Sequence, residues 1–146
     1  MDVPHIAFVL LLVIGSQVVV WSLIFYRMGR QKEAIRAESW RSGEKVILGP
    51  VRANYQGWNG RFGVSKSIGT LALLDHRILF KRPLGPDISI DLDWVAEVSD
   101  TVPLGTRTIT SANYVSMRLA NESSVVFLVP NGRQWIEAIR ERLVAN

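Results

Sequence analysis

A mainly β domain carried behind one N-terminal transmembrane helix is the fold class this sequence predicts, with seven strands forming an open antiparallel barrel closed at one end by a C-terminal α-helix. Three observations predict it. Residues 6–26 contain no charged side chain, and only Ser16, Gln17 and Ser22 are clearly polar. From Val46 onward, short apolar runs alternate with turn signals, which is the pattern of strands. From Asn131 the period becomes helical again, with one apolar and one charged face.

The apolar run comes first. Twenty-one residues in a helix rise about 32 Å, close to the roughly 30 Å of a bilayer's hydrocarbon core. A core helix of a soluble domain would show a polar stripe, and this run is apolar all round. A cleaved signal peptide is the rival reading. It needs a basic n-region, a shorter apolar stretch and a small-residue cleavage site. The N-terminal ionisable side chains here are Asp2 and His5, and no Ala-x-Ala follows. The expected organisation is an anchor over 1–28 (span about 6–26), a helical connector over 29–43 and a β domain over 44–146.

Charge predicts orientation. Arg27, Arg30, Lys32, Arg36, Arg41 and Lys45 follow the span against Glu33, Glu38 and Glu44, and no basic residue precedes it. The positive-inside rule then puts the N-terminus outside and the C-terminal domain at the cytoplasmic face of the cell membrane. Trp21, Phe25 and Tyr26 would form an interfacial aromatic belt. Gly15 and Gln17 either form a helix-packing face, as small and polar residues in spans do, or are simply tolerated. The basic connector either touches anionic headgroups or serves only as stop-transfer charge. Lys32 to Glu38 are mostly good helix formers, and Gly43 is a plausible stop.

In the domain, strands are predicted over about 46–55, 69–74, 77–82, 88–92, 95–99, 113–120 and 124–129. Asp75-His76, the stretch 83–87 and Asn121-Glu122-Ser123 supply the turns. Pro50 implies an edge or bulge in the first strand. Ile88, Ile90 and Leu92 alternate with Ser89, Asp91 and Asp93, giving one buried and one wet face. Asn131 is a candidate N-cap with Gln134 in the capping-box position, and Trp135, Ile136, Ile139 and Leu143 share the apolar face.

Three segments carry a family resemblance. GTLALLDHRILFKR (69–82) resembles the second and third strands of pleckstrin-homology-like (PH-like, including GRAM-type) domains, ISIDLDWVAEV (88–98) the pair that follows, and VVFLVPNGRQWIEAI (125–139) the last strand and closing helix. Leu74 and Asp91 depart from the usual Thr and Pro. The resemblance spans about 43–144 and implies a PH-like fold whose general role is to hold membranes or protein partners without catalysis. It also implies that the loop between the first two strands faces the membrane.

No catalytic constellation is legible. His5 and His76 are far apart in sequence, Asp87, Asp91, Asp93 and Asp100 lack a calcium loop's glycine, and Ser111 and Ser116 lack a nucleophile elbow. With no cysteine there is no disulfide and no thiolate ligand or nucleophile. The expectation is no enzyme, no cofactor and no metal. The net charge of +4 is concentrated beside the span, which favours a membrane partner over nucleic acid.

GWNGRFG (57–63) matches no phosphate-loop pattern, leaving a flexible hairpin loop or an interfacial loop in which Tyr55, Trp58, Arg61, Phe62 and Lys66 combine rings and cations. Arg52, Arg61, Lys66, Arg77, Lys81 and Arg82 outnumber Asp75 over 52–82, while 83–106 is acidic. The expected membrane contacts are therefore Trp58, Arg61, Lys66, Arg77 and Lys81. The expected partners are the membrane itself, anionic lipids or a membrane-protein complex, with no nucleic acid.

Overall fold

The computed structural model describes residues 3–58, 66–104 and 107–145. Its first element, α1 (Val3–Ser42), joins the expected span and connector in one unbroken helix of 40 residues, about 60 Å long. Pro4 sits in the first turn, where its missing N–H costs nothing. The stop is a Schellman turn. Gly43 adopts φ 71°, the Gly43 amide donates to the Trp40 carbonyl and the Glu44 amide to the Ser39 carbonyl.

Nine strands follow: β1 (Val46–Trp58), β2 (Ser67–Leu74), β3 (Arg77–Lys81), β4 (Ile88–Asp91), β5 (Val95–Ser99), β6 (Thr101–Leu104), β7 (Arg107–Thr110), β8 (Tyr114–Leu119) and β9 (Ser124–Leu128). Seven of them form one antiparallel sheet in the order β4-β3-β2-β1-β9-β8-β5. Each lies on a predicted strand. The β6–β7 hairpin is a separate pair that the sequence reading omits, because its strands are short and Pro103 interrupts the first.

The sheet is not closed as a barrel, which corrects the expected architecture. β4 and β5 are its two end strands. Between them the chain makes a 3-10 turn, Leu92–Trp94. The Leu92 amide donates to the His76 carbonyl and the Trp94 carbonyl accepts from the Ala120 amide. The turn thus bonds to the β2–β3 turn on one side and to the end of β8 on the other, in place of a β4–β5 ladder.

The inner face of the curled sheet holds the main core, where Tyr55, Phe80 and Phe127 meet with centroids 5.2–6.0 Å apart. The final helix, α2 (Gly132–Ala145), covers this face with Trp135, Ile136 and Ile139. Its start differs from the expected side-chain cap. Asn131 is in the left-handed region (φ 61°), and its backbone carbonyl accepts from the Gln134 amide. Ile88 and Ile90 point inward and Ser89 and Asp91 outward, as their alternation predicts. Pro50 sits in a register shift between Leu48 and Val51 of β1.

β2 is different. Every residue from Gly69 to Leu74 is buried, because the strand is covered on both faces. Leu71 and Leu73 face the main core, whereas Ala72 and Leu74 join Leu79, Val46 and Ile35 of α1 in a second, outer cluster. Gly69 marks a close approach. A Cβ there would lie 2.3 Å from the Lys81 carbonyl oxygen and 2.7 Å from the Phe80 ring.

Candidate membrane-facing site

The polar half of α1 lies on the outer face of the sheet. Ile35 is fully buried against Ala72, Leu74 and Leu79, and Gln31 and Ser39, one turn to either side, are buried with it. The Thr70 hydroxyl donates to the Gln31 side-chain oxygen at 2.9 Å within this seam. A charged network borders it. Glu38 bridges Arg77 (3.1 Å) and Lys81 (2.8 Å), Arg77 also pairs with Glu44 (3.1 Å), and Lys81 with Asp87 (2.8 Å). The Lys45 amide donates to the Asp75 carboxylate at 2.9 Å.

These contacts set the protonation behaviour. The hydrogen bond from Lys81 holds the Glu38 carboxyl below its ordinary value. Partial burial opposes this, while the charge of Lys81 and the hydrogen bond and charge of Arg77 reinforce it. Burial alone would lower Lys81, but hydrogen bonds to Asp87 and Glu38, with their charges, outweigh it and raise its ammonium above the usual range. Arg77 and Lys81, expected at the membrane, are thus placed where they tie α1 to β3. Their shared acidic partner on the helix carries no sequence signal, since Glu38 and Arg77 are separated by 39 positions.

α1 runs along β2 in the same direction, with Gln31 beside Thr70 and Lys45 beside Asp75. Two features therefore lie where the apolar half of the helix leaves the domain: the strand ends at Trp58 and Ser67, and the β3–β4 loop. The Arg27 guanidinium donates to the Pro83 carbonyl (3.4 Å), fixing that loop beside the first residue after the apolar run. At its tip Leu84 is 70% exposed. Leu23, Tyr26, Arg27, Arg30, Arg82 and Pro83 line an open groove of about 560 Å³ between helix and loop.

Of the expected contact residues, Lys66 is exposed immediately before β2, and the Trp58 backbone closes β1. Arg61, with Phe62, lies outside the described residues. Tyr55, expected at the interface, is fully buried in the aromatic core. Trp21 and Phe25 pair at 6.1 Å and, like Tyr26, are exposed on α1. Gly15 has no heavy atom within 4 Å of its Cβ position, and Gln17 is exposed. His76 is exposed at the opposite end of the sheet, and Asp91 and Asp93 are exposed as well.

The apolar half of α1 is long and apolar enough to cross a membrane. Its best window has mean hydropathy 2.5, and none of it is buried. No family model matches the chain, and no curated protein does. Among solved structures it is similar to the C-terminal domain of an unknown protein from Leishmania infantum, with a TM-score of 0.54 and 16% identity over 77% of this chain and 97% of that one. At that identity the likeness is one of fold alone; this chain's own fold is a seven-stranded antiparallel sheet with a C-terminal helix, behind an N-terminal apolar helix.

Proposed function

We propose that the chain is a non-enzymatic, membrane-anchored module of the PH-like kind that meets anionic lipid headgroups or a membrane-protein partner at the cytoplasmic face. One observation carries this reading: a single unbroken helix has an unburied apolar half and a polar half packed on the sheet through Gln31, Ile35 and Ser39. An anchor of that form holds the domain at one attitude to the bilayer. The β3–β4 loop with Leu84, and the strand ends at Trp58 and Ser67, then face the headgroups, with His76 at the far end. Tethering makes weak contacts sufficient, because the surface is already at high effective concentration. Six basic residues after the apolar run and none before it support the cytoplasmic orientation. The PH-like reading is supported by the three resembling segments, which form β2–β3, β4–β5 and β9–α2.

A second reading, a structural accessory subunit of a larger membrane complex, is favoured by one feature. Residues 3–20 of α1 are exposed and carry a shallow groove at Gly15 and Ser16, lined by Phe8, Leu12 and Val19.

The absence of cysteine allows single-site labelling of the full chain in vesicles. A fluorophore attached through Leu84→Cys should be quenched by brominated lipid, and one attached through His76→Cys should not. Equal quenching at both sites, or at neither, removes the proposed attitude. Release of the chain by carbonate removes the anchor. A stoichiometric complex whose assembly is lost on Gly15→Leu, with normal quenching at position 84, favours the accessory subunit.

A further inference from the structure

The basic side chains along the seam between α1 and the sheet divide into two kinds. Arg77 and Lys81 of β3 are matched by Glu38, Glu44 and Asp87. Arg27, Arg30 and Arg82, beside the apolar run, line one groove with no carboxylate among its lining residues. The contacts of these three are with neutral groups. Arg27 donates to the Pro83 carbonyl and Arg82 to the Pro86 carbonyl (2.8 Å), the Arg82 guanidinium lies 5.9 Å from the centre of the Tyr55 ring, and Arg30 lies 5.4 Å from the centre of the Tyr26 ring. Among the described residues, none of the three takes part in an ion pair.

Three arginines line this groove with no carboxylate among its lining residues, so an anion that enters it meets uncompensated positive charge. The planar fork of arginine matches phosphate in both charge and geometry. Position narrows the anion further. Arg30 lies about one helical turn beyond Tyr26, some 6 Å past the end of the apolar run, which is headgroup depth when that run spans the hydrocarbon. The membrane-side wall, Leu23 and Tyr26, is apolar and aromatic, and the opposite end carries the cations, so the groove is amphipathic along its length. A volume of about 560 Å³ is within the ordinary range for small-molecule sites.

Resting on the anchored reading above, we infer that this groove binds one anionic membrane phospholipid. Its phosphate lies between Arg30 and Arg82, with Arg27 at the mouth, and its acyl chains lie along Leu23. A zwitterionic lipid fits less well, because its own ammonium would enter the same cluster of cations. The groove needs α1 as one wall, and Lys66 is not among its lining residues.

The test uses the full chain carrying a fluorophore through Leu84→Cys, in vesicles of equal phosphatidylglycerol and phosphatidylcholine with one or the other brominated. Preferential quenching by the brominated phosphatidylglycerol, equivalent to roughly tenfold local enrichment, is expected. Arg30→Gln and Arg82→Gln should each cut the enrichment about fivefold, as expected for losing about 1 kcal/mol of attraction per basic residue. Lys66→Gln should leave it within about twofold. Arg30 is exposed on the helix, so its variant tests the site even where Arg82→Gln disturbs the loop. Enrichment that survives both arginine changes, or that falls equally with Lys66→Gln, overturns the site in favour of none or of diffuse surface charge. Loss of enrichment on adding millimolar inorganic phosphate overturns the lipid assignment in favour of a soluble phosphate. Quenching by both lipids without preference overturns the site but leaves the anchored attitude standing, whereas quenching by neither overturns both.

Discussion

α2 covers the inner face of the sheet with Trp135, Ile136 and Ile139, all inside the main core, and adds one hydrogen bond from Arg140 to the Val98 carbonyl. α1 covers the outer face with Ile35 alone among its large apolar side chains, beside buried Gln31 and Ser39 and a rim of ion pairs. One helix is held mostly by area removed from water, the other mostly by directional contacts. Apolar burial is strong but tolerant of small rotations. A hydrogen bond and a set of bridges specify one angle. The contrast suits α2 to holding the domain together and α1 to fixing how the domain sits on the apolar half of the same helix.

The comparison can be broken most directly at its apolar centres. Trp135→Ala removes the largest fully buried side chain and should cost about 3–5 kcal/mol, losing cooperative urea unfolding in mild detergent. Ile35→Ala should cost about 2–4 kcal/mol at its own site. Hydrogen exchange should speed up over 31–42 while the amides of β8 and β9 keep their protection. If Ile35→Ala unprotects β8 and β9 as fully as Trp135→Ala does, α1 belongs to the core and the distinction fails.

The strands were legible because each has a chemical stop. Asp75-His76 and 83–87 end strands where expected, and Asn121 caps its own turn by accepting from the Ser123 amide. Docking of α1 was far less legible. Ile35 stands among charged neighbours with no helical apolar stripe, and its buried partners Ala72, Leu74 and Leu79 lie 37 or more positions away. One clue was present: residues 69–74 do not alternate, as a strand covered on both faces should not. Barrel closure could not be read, since Leu92–Trp94 continues the apolar pattern of β4 and only its hydrogen bonds to His76 and Ala120 reveal a turn. The arginine groove was invisible for a similar reason. Arg30 and Arg82 line one groove only because a helix and a loop 52 positions apart pack together.

A smaller effect sharpens the directional half of the contrast. Thr70→Val deletes the donor to Gln31 and leaves a buried amide oxygen unmatched, which should cost about 1–3 kcal/mol. Adding Gln31→Met to it should recover most of that loss, because neither group is then left wanting a partner. The double variant should nevertheless show a wider spread of distances between spin labels at Lys32→Cys and Asp91→Cys. A double variant as unstable as Thr70→Val alone would mean the cost was in packing rather than in the hydrogen bond.

The smallest expected effect is electrostatic, and its sign is fixed by which way each group is shifted. Glu38 titrates below its ordinary 4.5 when folded, so its contribution to docking is complete above about pH 4.5 and fades as pH falls through the lower folded value. Lys81 is shifted upward, so its contribution is complete below its ordinary 10.5 and fades only as pH rises through a still higher value. Docking should therefore be flat across neutral pH and loosen in acid. Glu38 is more than a third exposed, so screening by solvent limits the Glu38→Gln cost to about 0.5–1 kcal/mol, and 1 M salt should remove part of it. The spin-label distance between positions 32 and 91 should be narrow from pH 5 to 9 and broaden only below the ordinary carboxyl value of 4.5. Broadening that appears instead between pH 5 and 8 would assign the hold to a group other than this bridge. Since Glu38 is the residue that joins Arg77 to Lys81, its protonation loosens both ties at once, whereas no single protonation does the same to α2.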